Sequence, residues 1–188
     1  MNKAQFDHTV RAAGAVLGVD DILVIGSQAV HASIDQIFPE AARSIEVDVA
    51  GLDAEDPARA ADLIDGSIGE LSLFQDSFGY YAQGVTPDTA VLPDGWRERL
   101  IPYRSEATGN VTAWCLEPND LWLSKAAAGR EKDREFCAAL IEVGLVDEEV
   151  LRERVGKMRA LSSDKQAVIS RWIETLDGDR GVGDRTNK

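Results

Sequence analysis

The sequence predicts an α/β (α+β) fold: a small mixed β-sheet with flanking helices, followed by a C-terminal helical portion. Three observations carry this expectation. The continuous β-branched run Ile22-Leu23-Val24-Ile25 reads as a buried strand set between helix-period segments. The middle of the chain alternates strand formers with turn signals at Pro87, Pro93-Asp94-Gly95 and Thr108-Gly109-Asn110. Beyond Pro118 the pattern is helical throughout.

Taken in order, Phe6, Val10, Ala13 and Leu17 recur at helical spacing, so residues 4–17 read as an amphipathic helix ended by Gly18. The strand 22–25 runs through Gly26-Ser27 into a helix over 28–34, and the alternating segment 44–49 reads as a second strand. Residues 54–64 form a helix, with Asp53 or Asp56 as cap and Pro57 in its first turn. Strand-like stretches follow at 71–74, 78–83, 97–104 and 111–116, joined as hairpins. Helices are expected over 119–128, 131–143, 148–159 and 164–176. The chain thus divides into an α/β core (1–117), a helical portion packed on it (118–176) and a disordered tail (177–188), which is rich in glycine and charge.

Of the 188 residues 33 are acidic and 20 basic, a formal charge of −13. That balance argues against a broad electrostatic grip on nucleic acid. Cys115 and Cys137 lie far apart with no metal-ligand spacing, so a zinc or redox motif is not expected. No apolar run is long enough to span a bilayer and no signal-peptide core is present, so a cytoplasmic protein without membrane partners is the expectation.

Three features could carry chemistry. At Val24-Ile25-Gly26-Ser27 a strand passes through glycine and serine into a helix, a geometry that lets phosphate approach the backbone; it also serves as a simple turn with a cap. In Ile45-Glu46-Val47-Asp48-Val49 the two acids share one strand face, roughly 7 Å apart along it, while the apolar residues face the core. Such a pair suits Mg²⁺ held together with phosphate oxygens, or a wet edge strand. In Lys125 to Asp133, a helix continuing through Gly129 would stack Lys125 and Lys132 on one face, with Arg130 as a further clamp for a triphosphate; an ordinary solvated helix surface is the other reading. His8, His31 and the four tryptophans read as packing residues, and Tyr80 and Tyr81 as possible stacking partners for a base.

Together these features resemble the nucleotidyltransferase superfold of the DNA polymerase β type, with Gly26-Ser27 and Glu46-Val47-Asp48 matching its pattern. Arg43 to Asp48 and the Lys125 to Asp133 segment look like motifs of AbiEii-like and other minimal nucleotidyltransferases, many of them toxins of toxin–antitoxin pairs. Phe78 to Val85, Leu92 to Trp96 and Ala128 to Asp133 resemble a bacterial family of uncharacterised nucleotidyltransferase-like proteins. The resemblance implies transfer of a nucleoside monophosphate from an NTP to a hydroxyl acceptor on RNA, such as tRNA, or on a protein, and an antitoxin partner. It implies Glu46 and Asp48 as Mg²⁺ ligands, Gly26, Ser27, Lys125, Arg130 and Lys132 around the nucleotide, and Asp133 beside Lys125 or the acceptor. Two departures stand out. Eighteen residues separate Ser27 from Glu46, implying an insertion over 34–42, and the third carboxylate is open among Glu70, Asp76, Glu98 and Asp120. An inactive scaffold that binds a nucleotide or a partner protein is the alternative.

Overall fold

The computed structural model describes residues 1–180, with side chains described to residue 176. Helix α1 (Lys3–Leu17) starts at a capping box between Asn2 and Gln5 and buries Phe6, Val10 and Ala13. Strand β1 (Asp21–Val24) follows and leads at Gly26 into the helix expected over 28–34, which is a six-residue 3-10 helix, Ser27–Ala32. The short helix α2 (Pro39–Ala42) precedes β2 (Glu46–Gly51). Helix α3 (Pro57–Ile68) has Asp56 as its cap and Pro57 in its first turn.

Residues 71–74 do not form the expected strand. Ser72 caps a helix, α4 (Leu73–Phe78), by accepting a hydrogen bond from the Gln75 N–H. The local cap decides the outcome because Leu71 and Leu73 have no sheet to bury against, at 88% and 84% exposed. Strand β3 (Tyr81–Gly84) starts only after Gly79, and β4 (Ile101–Tyr103) only after a 3-10 turn at Arg97–Arg99. Strand β5 (Thr112–Cys115) leads into α5 (Pro118–Ala128), α6 (Glu131–Glu142), α7 (Glu148–Val155) and α8 (Ser163–Arg180). The last helix covers 177–180 of the expected tail, and 181–188 lie outside the described residues.

The five strands form one mixed sheet in the order β3-β2-β1-β5-β4. β1 pairs antiparallel with β2 and parallel with β5, and β4 pairs antiparallel with β5. β2 and β3 run parallel, so α3 and α4 form a crossover between them; of the hairpins expected through the middle of the chain, the antiparallel β4–β5 pair forms. One apolar core takes in the sheet residues Leu23, Val47 and Ala113 together with Trp122, Leu140 and Ile173 of the helical half. Among the described residues no helix is long and apolar enough to cross a membrane.

Candidate functional site

Strand β2 projects Glu46 and Asp48 from one face while Val47 and Val49 are fully buried on the other. Ile45 was expected in the core and is instead 49% exposed, just before the start of β2, although its carbonyl accepts from the Tyr81 N–H at 3.0 Å. The Ile25 N–H donates to the Asp48 carbonyl at 3.2 Å, which brings the end of β1 against Asp48. The Asp48 carboxylate lies across Gly26 so closely that a Cβ there would sit 1.6 Å from Oδ2. A side chain at 26 would therefore require the Asp48 carboxylate to move, a reason for glycine additional to any approach of phosphate.

Burial pushes the Asp48 carboxyl above the usual carboxylate range. Lys125, Lys132 and Arg130 pull it down, and Glu46 pushes it further up. Among the described residues nothing donates a hydrogen bond to its carboxylate or forms an ion pair with it. Glu46 is held differently: the Tyr81 hydroxyl donates to its Oε2 at 3.0 Å. Burial, that hydrogen bond and the charges of Glu46, Glu70 and Asp48 push the Tyr81 phenol up to about 12. The parallel register sets Tyr81 beside Glu46 and Gln83 beside Asp48. The Gln83 amide in turn donates to Asp65 at 3.3 Å, and Asp65 also caps the edge N–H of Gly84 at 2.7 Å.

The cations arrive from the helical half, by a route other than a continuous helix. Gly129 takes φ +68° and ends α5, and Arg130 caps α6, so Lys125 and Lys132 are not stacked along one helix. They meet because α6 packs against α5, and both border a cavity of about 310 Å³ with Ser27, Arg43 and Glu46. A neighbouring cavity of about 250 Å³ is bordered by Gly26, Asp48, Val91, Ser124 and Arg130. Lys125 borders both.

Asp133, almost fully buried, is the hub of these cations. Its carboxylate takes a forked pair of hydrogen bonds from Arg130 at 2.6 and 3.1 Å and lies 3.7 Å from the Lys125 ammonium. Burial alone would raise its pKa; the Arg130 hydrogen bond and the Lys125 charge overcome that and hold it below the usual range. The same hydrogen bond, ahead of opposing burial, raises the Arg130 guanidinium further. Lys125 also lies over the Phe136 ring at 5.8 Å.

The expected insertion over 34–42 contains α2 and forms the outer wall of the larger cavity. Phe38 packs on Phe136 at 5.5 Å, Gln28 donates to the Ala41 carbonyl at 2.8 Å, and Arg43 pairs with Glu135 at 3.1 Å. Of the candidates for a third carboxylate, Asp120 is excluded as a base: it is fully buried, with one oxygen on Arg99 at 2.8 Å and the other on Arg154 at 2.9 Å. Asp76 and Glu98 are exposed. Glu70 alone of the four acts electrostatically on Tyr81. Among the described residues no group of three or more His, Cys, Asp or Glu side chains is arranged to hold a metal.

Sequence reasoning missed the hold of Tyr81 on Glu46, since a contact between residues 35 apart depends on strand register. Both tyrosines are buried and neither is a base-stacking platform; the Tyr80 hydroxyl meets His8 Nδ1 at 2.8 Å. His8 packs on Phe74 and Phe78, and His31 stacks on Phe6, so both histidines are packing residues. Burial lowers the His31 pKa to about 4. The cysteines are buried and burial raises both thiols.

Residues 7–174 match a family model described as "Nucleotidyltransferase of unknown function (DUF6036)". The matched span contains every residue of the two cavities. No curated protein and no solved structure matches the chain.

Proposed function

Because the chain belongs to this nucleotidyltransferase family, we propose that its cleft binds an NTP with Mg²⁺ and transfers the nucleoside monophosphate to a hydroxyl acceptor, releasing pyrophosphate. The observation that carries this reading is Asp48: a desolvated carboxylate with no hydrogen-bond or ion-pair partner among the described residues, on the same strand face as Glu46 and in the field of three cations. A carboxylate in that position favours a bound cation, and two carboxylates completed by substrate phosphates are a usual Mg²⁺ arrangement. The donor set therefore fits Mg²⁺, with Glu46 and Asp48 as its protein ligands. When bound, the ion supplies charge neutralisation and polarisation at phosphate oxygens.

The protein's own groups have separable tasks. Tyr81 holds Glu46 in one rotamer, so the carboxylate needs no reorganisation when the nucleotide arrives. Lys125 and Lys132 offset charge on the triphosphate, and the Ser27 hydroxyl adds a donor. Asp133 aims Lys125 and Arg130 and does not touch the acceptor, since its oxygens are engaged by those two cations. The acceptor hydroxyl belongs to RNA, for which the 3′ end of tRNA is a candidate, or to a protein side chain; the charge of −13 weighs against a long RNA track. A toxin countered by an antitoxin is a biological role compatible with this chemistry, supported if growth arrest on expression disappears in Asp48→Ala.

A second reading, a scaffold that binds nucleotide or a partner without turnover, has a specific observation behind it. The β3 positions beside Glu46 and Asp48 carry Tyr81 and Gln83, so neither supplies a third carboxylate. Incubating the protein with Mg²⁺, each α-labelled NTP and total RNA or cell lysate, beside Asp48→Ala, separates the two. Label transfer that needs Asp48 supports the enzyme. Mg²⁺-dependent thermal stabilisation by NTP without transfer supports the nucleotide-binding scaffold, and neither transfer nor stabilisation overturns the catalytic reading.

A further inference from the structure

Helix α4 and the turn before it form an apolar ledge that the proposed chemistry does not use. Leu71 and Leu73 are almost fully exposed and Phe78 is half-exposed. Leu71 is the one non-glycine residue with positive φ (61°) among the described residues, a conformation that leucine rarely adopts. Its N–H is fastened to Gln75 Oε1 at 2.6 Å, so the side chain is held outward. Beneath the ledge, Phe74 and Phe78 pack on His8 at 5.1 and 4.5 Å, and Phe74 meets Tyr80 at 5.8 Å. The aromatic layer anchors α4 to α1, and the leucines stand on a fixed platform.

Charge identifies what can cover them. Within residues 69–80, which carry the ledge, the charged side chains are the acids Glu70 and Asp76, and there is no lysine or arginine. Glu70 directly precedes Leu71, and Asp76 lies one turn from Leu73 on the same helix. Arg11 of α1 is the cation acting on the aromatic layer from below, and its guanidinium donates to the Ala107 carbonyl. In a two-fold contact made through this ledge each copy would bring the same acids, Glu70 and Asp76, and no cation of the ledge to meet them. Polyanions and anionic lipid are repelled by the same acids. The matching surface is a polypeptide with apolar side chains at helical spacing flanked by lysine or arginine.

We propose that the ledge of Leu71, Leu73 and Phe78 docks a basic amphipathic segment of a partner protein.

The test reads binding without nucleotide, so its failure is distinct from failure of the transfer reaction. The probe is a synthetic amphipathic helix of leucine and lysine, compared with one of the same pattern in leucine and glutamate, by fluorescence anisotropy. The lysine peptide is expected to bind wild type, at least about tenfold more weakly to Leu71→Ser/Leu73→Ser, and more weakly to Glu70→Gln/Asp76→Asn, while the glutamate peptide does not bind. Both variants change exposed side chains, and unchanged melting temperatures verify their fold. Equal binding of the lysine peptide to wild type and the double serine variant overturns the proposal. So does a wild-type dimer by light scattering that becomes monomeric in that variant, because a second copy then covers the ledge.

Discussion

Two clusters of acids and cations sit at opposite ends of α5, and they differ in how completely they are paired. At the N-terminal end, Asp120 is fully buried with each oxygen on a different arginine, and Arg154 also pairs with Glu117. The Glu117 carboxylate additionally caps α5 through the N–H groups of Asn119 and Asp120. At the C-terminal end, Asp133 is matched to Lys125 and Arg130, yet Asp48, in the field of the same cations, has no ion pair or side-chain hydrogen bond among the described residues. The first cluster is a finished clamp joining α5, α7 and the 97–99 turn. The second keeps one desolvated charge unmatched, which costs stability unless a ligand completes it. Pairing, rather than charge density, separates scaffold from site in this molecule.

That contrast can be broken in order of expected effect. Asp120→Ala takes the buried carboxylate from two partly buried arginines, leaving Arg154 on Glu117 and Arg99 on the Asp94 carbonyl, and should cost about 3 kcal/mol in urea unfolding. A loss below about 1 kcal/mol, the level of an exposed pair, would mean that the clamp is not structural. Asp48→Asn should do the opposite to stability while lowering transfer by more than about 100-fold, beyond the range for outer-sphere partners. Because the folded-state pKa of Asp48 is raised, wild type loses stability as pH climbs from the ordinary carboxylate range to that raised value, and the loss persists above it. The melting-temperature gap between Asp48→Asn and wild type should open across that window, stay constant at higher pH and close on adding Mg²⁺. A gap insensitive to pH would remove the argument that Asp48 is an unmatched charge.

Asp133→Asn tests the half of the second cluster that is paired. Releasing Arg130 and Lys125 should weaken NTP binding about 10–100-fold, measured by titration, as expected for groups that orient a ligand. Smallest is Tyr81→Phe, which leaves the packing and removes only the hydrogen bond to Glu46. Mg²⁺ affinity should fall about tenfold, with a larger effect on metal than on metal-free nucleotide binding; equal effects on both would reduce Tyr81 to a packing residue.

Local pattern made much of this legible. The helix period of Phe6, Val10 and Ala13, the β-branched run at Ile22 and the alternation through Glu46 and Asp48 each describe a burial pattern that one segment carries alone. Failures came where context overrode composition. Leu71 to Phe74 have strand-forming character, but Ser72 caps a helix there. The separate helices read over 119–128 and 131–143 do form, and the stacking of Lys125 and Lys132 that a continuous helix would have given is replaced by packing of α6 against α5, because Gly129 takes a left-handed turn at little cost.

By itself the sequence determined the mixed α/β class, the shared face of Glu46 and Asp48, and the grouping of Lys125, Arg130, Lys132 and Asp133 within one short segment, because helix and strand periods are local properties of the chain. Only the tertiary structure decided which of these charges are satisfied. Whether Asp120 closes on Arg99 and Arg154, whether Tyr81 reaches Glu46 across the β2–β3 register, and whether Asp48 is left over Gly26 without a partner depend on residues distant in sequence. Desolvation and pairing are properties of the folded surroundings, and they distinguish two acid clusters that the chain spells in the same letters.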